Sequence, residues 1–160
     1  MDIRLADESD LAELAMLYRQ TVLQHAPQHY SPDQTQTWAA FAEDLDLFRR
    51  FVLDATTYVA TDETGIVGFA GIEADGHVSS TYVRGDRLHQ GIGSALMRVL
   101  LDYAAAQHMT RLYSEASKFS LGLFQKFGFR LYDTEQVERS GIVFTRYLVE
   151  RNLAERRAMP

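Results

Sequence analysis

Between Thr57 and Val83 the hydrophobic pattern settles into a period of two, and no other stretch limits the possible folds as much. Thr57-Tyr58-Val59-Ala60-Thr61 reads as a strand, Asp62-Glu63-Thr64-Gly65 as a turn, and Ile66–Ile72 as its hairpin partner. Ala74-Asp75-Gly76 turns again into a third strand, His77–Val83. Strands joined by turns this short must pair antiparallel, because a parallel pair needs a crossover of about a dozen residues or more. A doubly wound parallel sheet is therefore excluded for this half of the chain.

The flanking segments have helical spacing. Ile3-Arg4-Leu5 is a short opening strand, and Leu11, Leu14, Ala15, Tyr18 and Val22 then mark a helix that ends near Pro27. Ser31 and Pro32 supply a cap and a first turn for a second helix carrying Trp38, and a further segment holds Leu45, Phe48, Phe51 and Val52. After the meander, Gly91–Met109 reads as a helix, Leu112–Ala116 as a strand and Lys118–Phe127 as a helix that Ser117 caps and Gly128 ends. Phe129–Glu138 and Ile142–Glu150 make a closing hairpin. The expected order is β-α-α-β-β-β-α-β-α-β-β: an α+β fold around a mixed, mostly antiparallel sheet, with 1–150 as one domain and 151–160 as a tail.

At 160 residues a sizeable core needs no metal or disulfide staple, and the absence of cysteine excludes disulfides, thiolate nucleophiles and cysteine-zinc sites. No apolar run reaches membrane-span length, and Met1-Asp2-Ile3-Arg4 lacks the basic start of a secretion signal, so a cytoplasmic protein with no membrane partner is the expectation. The net charge of −6 argues against nucleic acid as a partner. It is unevenly spread. Residues 1–83 hold 4 Lys+Arg against 14 Asp+Glu, whereas 84–130 hold 7 against 3. A basic middle in an acidic chain suits a local anionic ligand, phosphate above all.

That middle contains Val83-Arg84-Gly85-Asp86-Arg87-Leu88-His89-Gln90-Gly91-Ile92-Gly93-Ser94-Ala95-Leu96. A strand enters a turn with two close glycines and then opens an amphipathic helix. Gly91 and Gly93 let backbone N–H groups approach an anion, and the helix start adds unpaired donors and partial positive charge. A dinucleotide fingerprint would need a small residue where Leu96 stands, and a Walker loop would need Gly-Lys-Ser/Thr. Neither fits, which leaves a pyrophosphate at the mouth of a mixed sheet, or a helix entry with no ligand.

The stretch from Val83 to Leu96 resembles the acyl-CoA pyrophosphate loop of the GNAT N-acetyltransferases. Ala116-Ser117-Lys118 through Leu123-Phe124-Gln125-Lys126-Phe127-Gly128-Phe129 resembles their second motif, and the element order agrees over about residues 2–150. The resemblance implies an acetyl-CoA-dependent N-acetyltransferase that moves acetyl to a small-molecule or peptide amine by direct transfer, with acetyl-CoA as co-substrate and no metal. It implies cofactor contacts from Tyr82, Val83, Leu88, His89, Gln90, Gly91, Ile92, Gly93, Ser94, Ser117 and Phe124. Backbone donors near Tyr82–Val83 would stabilise the oxyanion. Two residues depart from the family pattern: Leu88 stands where Arg or Gln is usual, and Phe124 where many members carry a tyrosine. A non-catalytic acyl-CoA-binding module is the alternative.

The acceptor amine must lose a proton, and three residues are candidates for its base. His77 opens the third meander strand, and period-two alternation would set it on the face of Ser79, Thr81 and Val83. Glu115 ends the next strand, and Glu73 lies at a turn. His25 and His29 are four apart, but Pro27 between them and the lack of a third ligand point to structural roles. Tyr30 and Trp38 lie on the front helices, where the family builds its acceptor site, and the acidic front half suggests a cationic acceptor. The closing hairpin and tail offer a surface for a homodimer.

Overall fold

The computed structural model describes residues 1–153. It contains seven strands and five α-helices in the order β1 (Asp2–Leu5), α1 (Leu11–His25), α2 (Pro32–Ala40), α3 (Leu45–Leu53), β2 (Thr56–Asp62), β3 (Gly65–Ile72), β4 (Val78–Val83), α4 (Ile92–Ala106), β5 (Arg111–Ala116), α5 (Leu121–Lys126), β6 (Arg130–Arg139) and β7 (Ile142–Asn152). The meander is present in full. The front half differs from expectation in carrying three α-helices, because Asp44 accepts a hydrogen bond from Leu47 N and starts α3 as an element of its own. Ser31 and Gln34 cap α2 reciprocally, with Pro32 in its first turn.

Other boundaries shift at element ends. Helix α4 stops at Ala106, and α5 begins only at Leu121. The turn before α5 is still held by Ser117, whose Oγ accepts from Phe119 N and Ser120 N. Strand β7 runs to Asn152, two residues into the expected tail. Leu153 packs on the core, and the rest of the tail, 154–160, lies outside the described residues.

The sheet is not continuous. Strands β1-β2-β3-β4 form one antiparallel sheet and β5-β7-β6 a second. They meet where His77 and Tyr113 form a single parallel bridge, with Tyr113 N donating to Gly76 O at 3.1 Å and Ser114 Oγ to Val78 O at 2.7 Å. Beyond that point β4 and β5 diverge and enclose a cleft.

Each face of the first sheet buries its own core. Helices α1 and α3 cover one face with Leu14, Tyr18, Phe48 and Val52 against Val59, Ile66 and Phe69. Helix α4 covers the other with Ile92, Leu96, Met97 and Leu100 against Val67, Ala70 and Ile72. Gly68 sets how close α4 can come. A methyl there would meet Ile92 Cγ2 and the Tyr82 carbonyl at 3.0 Å and Leu96 Cδ1 at 3.1 Å.

Candidate active site

The cleft between β4 and β5 has a volume of about 880 Å³. Its walls come from α1, α2, β4, the end of β5 and the β6–β7 hairpin; Tyr30, Trp38, His77, Tyr82, Val83, Leu88, Glu115, Ser117 and Phe124 line it, whereas the loop residues from His89 to Ser94 do not.

A bulge in β4 decides which side chains face which way. Ile72 pairs with Val78 but Gly71 pairs with Ser80, so Ser79 is extra and the alternation reverses across it. Val78 and Val83 therefore pack toward α4, while Tyr82 packs toward the front helices. This corrects the expected face of His77. Its ring lies with Tyr113 and Glu115, on the side of β5 opposite the buried Leu112 and Ala116.

His77 and Glu115 are brought into direct contact, and Glu73 joins them. The imidazole donates from Nδ1 to Glu73 Oε1 at 2.6 Å and from Nε2 to Glu115 Oε1 at 2.9 Å. Its ring stacks on Tyr113 at 5.0 Å between centroids, and the Tyr113 hydroxyl donates to Asp75. The Glu115 hydrogen bond, reinforced by Glu73, outweighs the cost of burial and raises the His77 pKa to about 9. Reciprocally, His77 holds the Glu115 carboxyl below its ordinary range. Arg146 lies 3.9 Å from Glu115 and pairs with Glu135. With both ring nitrogens engaged and the charged form favoured, His77 is an imidazolium at neutral pH, which does not suit the neutral base expected from its residue type.

The anion loop behaves differently from its bases. Arg84 is tied to Asp86 at 2.6 Å, and Arg87 to Asp62 at 2.7 Å, so neither offers a free charge. Backbone donors remain. Gly91 sits at the N-cap of α4 with φ +82°, a left-handed conformation that favours glycine, and no side chain caps the helix. The first bond of α4 is Ala95 N to Gly91 O, so the N–H groups of Ile92, Gly93 and Ser94 have no helical acceptor. The Ile92 side chain is buried, leaving its backbone for a ligand. Gln90 and Gly91 are exposed, and His89 has φ +61°. Lys126 Nζ donates to Ser94 Oγ at 2.8 Å and places one cation on this first turn. An uncapped 15-residue helix with a cation on its opening turn fits a pyrophosphate.

Several other expected contacts move. The Tyr82 ring stacks on Phe69 at 5.3 Å, and its hydroxyl accepts from Trp38 Nε1 at 3.2 Å. Its side chain thus belongs to the front wall, and its backbone pairs with Phe69 of β3. Arg84 N donates to Val67 O, so pairing alternation turns the Val83 N–H and carbonyl away from β3; that carbonyl lies 3.5 Å from Thr21 Oγ1. Leu88, Ser117 and Phe124 line the cleft, although Phe124 is only 2% exposed and packs edge-on against Phe129.

Tyr30 and Trp38 meet at 5.2 Å, and Phe119 extends the aromatic wall, 6.1 Å from Tyr30. The Tyr30 hydroxyl accepts from Lys118 N at 3.1 Å, which fixes the wall to the turn before α5. His25 bonds the Gly85 carbonyl at 3.2 Å and so has the structural role expected of it. Sequence reasoning missed Lys126, Phe119, Arg139 and Arg146 as site residues. Only Lys126 left a trace, in the basic middle segment.

With this geometry in view, comparison with known proteins is specific. The family model described as the acetyltransferase (GNAT) domain matches residues 26–151. A curated relative, the uncharacterised N-acetyltransferase YafP of Escherichia coli strain K12, is 25% identical over 147 residues, covering 92% of this chain and 93% of that one. The crystal structure of a GCN5-related N-acetyltransferase from Rhodopseudomonas palustris superposes with a TM-score of 0.90 at 25% identity, covering 95% of both chains. The PaiA N-acetyltransferase of Thermoplasma acidophilum, crystallised with coenzyme A, has the same fold at 15% identity, with a TM-score of 0.73 over 95% of this chain and 99% of that one.

Proposed function

The chain belongs to the GNAT acetyltransferase family, and from that premise we propose that it is an N-acetyltransferase acting on a primary amine in the cleft between β4 and β5. The family supports acetyl-CoA-dependent acetyl transfer in general. The observation that carries the finer reading is an ionised carboxylate at Glu115 in a cleft that is also lined by Leu88, on the loop leading to the uncapped start of α4. When bound, acetyl-CoA supplies the acetyl group as a thioester, for direct transfer to the amine. The residues that would hold it are the backbone of Gln90–Ser94, Lys126 at the same turn, and Leu88, Ser117 and Phe124 along the cleft.

Each residue of the cluster has a distinct task. Glu115 stays anionic across the neutral range, because His77 donates to it, and it receives the ammonium of the acceptor. The ammonium first releases one proton to water, which frees the lone pair for attack; as the nitrogen then forms its new bond it becomes acidic again, and Glu115 takes this second proton directly or through one water. His77 is a positioning residue: its two carboxylate bonds fix the Glu115 rotamer and span the junction of the two sheets. The outward N–H of Val83 supplies a donor for developing negative charge. Phe124 provides no proton, and a thiol with an ordinary pKa near 8.5 departs as thiolate without needing one.

The test is thiol release from acetyl-CoA against a panel of amines, for the wild type and Glu115→Gln. The wild type should turn over at least one primary amine, and the variant should lose about 10²-fold in kcat while still binding acetyl-CoA. A folded wild type that binds acetyl-CoA and releases no thiol with any amine would establish the binding-module alternative instead.

A further inference from the structure

Much of the front half's acidity is neutralised by ion pairs outside the cleft. Asp10 is paired with Arg4 and Glu8 with Arg49, each at 2.8 Å, Asp62 with Arg87 at 2.7 Å, and Glu43 with Arg19 at 3.4 Å. Inside the cleft, the acids Asp44, Glu73 and Glu115 face His77, Arg139 and Arg146. A polycation would gain little there.

The β6–β7 hairpin arranges its charges in order. Its cleft-facing rungs pair Glu135 with Arg146, then Val137 with Phe144, then Arg139 with Ile142, about 7 Å apart from one to the next. The first rung is neutralised, since Arg146 is shared between Glu135 and Glu115. The second is apolar and faces Tyr30, Trp38 and Phe119 across the cleft. The third carries Arg139, which forms no ion pair among the described residues. Its positive charge is nonetheless felt at Glu115, Tyr18 and Tyr82, which places the guanidinium within electrostatic range of the cleft interior.

From this order we infer that the acceptor carries its amine and a carboxylate at opposite ends of an apolar body, in the manner of an ω-amino acid. The amine lies at Glu115, the body lies between the aromatic wall and the Val137–Phe144 rung, and the carboxylate is received by Arg139. A guanidinium suits this task, because its planar fork takes a carboxylate with two parallel hydrogen bonds. The inference rests on the acetyl-transfer reading above and adds the class of acceptor.

The experiment compares matched pairs in the thiol-release assay: 6-aminohexanoate with hexylamine, and 8-aminooctanoate with octylamine. In the wild type, kcat/KM should favour the carboxylate-bearing member at least tenfold. In Arg139→Gln, on the exposed hairpin where folding is not at stake, the ratio within each pair should collapse to about threefold or less. Arg139→Lys, which keeps the charge but loses the fork, should fall between the two. Thiol release that shows no advantage for the carboxylate, or an advantage that survives Arg139→Gln, overturns the inference and leaves acetyl transfer standing. Release with no amine at all overturns acetyl transfer, and this inference with it.

Discussion

Replacing Glu115 by Gln removes one charge from the cluster at nearly constant volume, and its consequence can be worked out from His77. The His77 pKa stands at about 9 against an ordinary 6.5, a rise caused first by the hydrogen bond to Glu115 and next by Glu73, with burial opposing both. A rise of that size is a preference for the imidazolium of roughly 3 kcal/mol in the folded state. Only about one His77 in a hundred is then neutral at pH 7. Because the folded pKa lies above the unfolded one, this stabilisation is complete below about pH 6.5 and is lost as pH rises through about 9. Glu115 contributes in the opposite sense: its lowered pKa stabilises the fold above about 4.5, and the contribution fades as pH falls through the folded value. In Glu115→Gln the His77 pKa should drop by at least one unit, and the extra loss of stability between pH 6.5 and 9 should shrink with it. Nitrogen-15 NMR of the imidazole gives the pKa directly, and thermal unfolding across pH 6 to 10 gives the linked stability. A wild-type His77 that titrates near 6.5, or one unmoved by Glu115→Gln, would refute both the clamp and the positioning role assigned to it.

Two further substitutions test the rest of the site. Gly91→Glu brings a negative side chain to the start of α4, where a methyl meets no atom within 4 Å but φ is +82°. It should weaken acetyl-CoA binding at least tenfold, about 1.4 kcal/mol, by calorimetry on protein shown to be folded. Phe124→Ala removes a ring that is 2% exposed and packed edge-on against Phe129 at 5.0 Å. It should cost about 3 to 5 kcal/mol in denaturant unfolding, and a loss of acetyl-CoA affinity without that destabilisation would place the ring in the cofactor channel rather than the core.

Much of this protein is written in local sequence. The switch to a period of two at Thr57, the two short turns and the glycines at 91 and 93 specify the meander and the loop into α4, because each depends on neighbours a few residues apart. The types of the candidate site residues were legible for the same reason: Glu115, His77, Tyr30 and Trp38 stand out by chemistry and position on their elements. What they do was not legible. A single extra residue at Ser79 reverses the faces of β4 and carries His77 to the side of Glu115, and no local pattern marks that bulge. The splitting of the expected single sheet at the His77–Tyr113 bridge depends on how β5 approaches β4 from 36 positions away along the chain. Protonation of His77 follows from carboxylates contributed by two separate segments, at Glu73 and Glu115, meeting on one ring. Likewise the bases of the anion loop are cancelled by Asp62 and Asp86, while Lys126 arrives from α5 to serve it. Electrostatics acts through space, at distances of a few Å between groups that lie tens of residues apart. The sequence therefore determined which groups are present, and only the tertiary structure decided which of them carry charge, which are neutralised and which face the cleft.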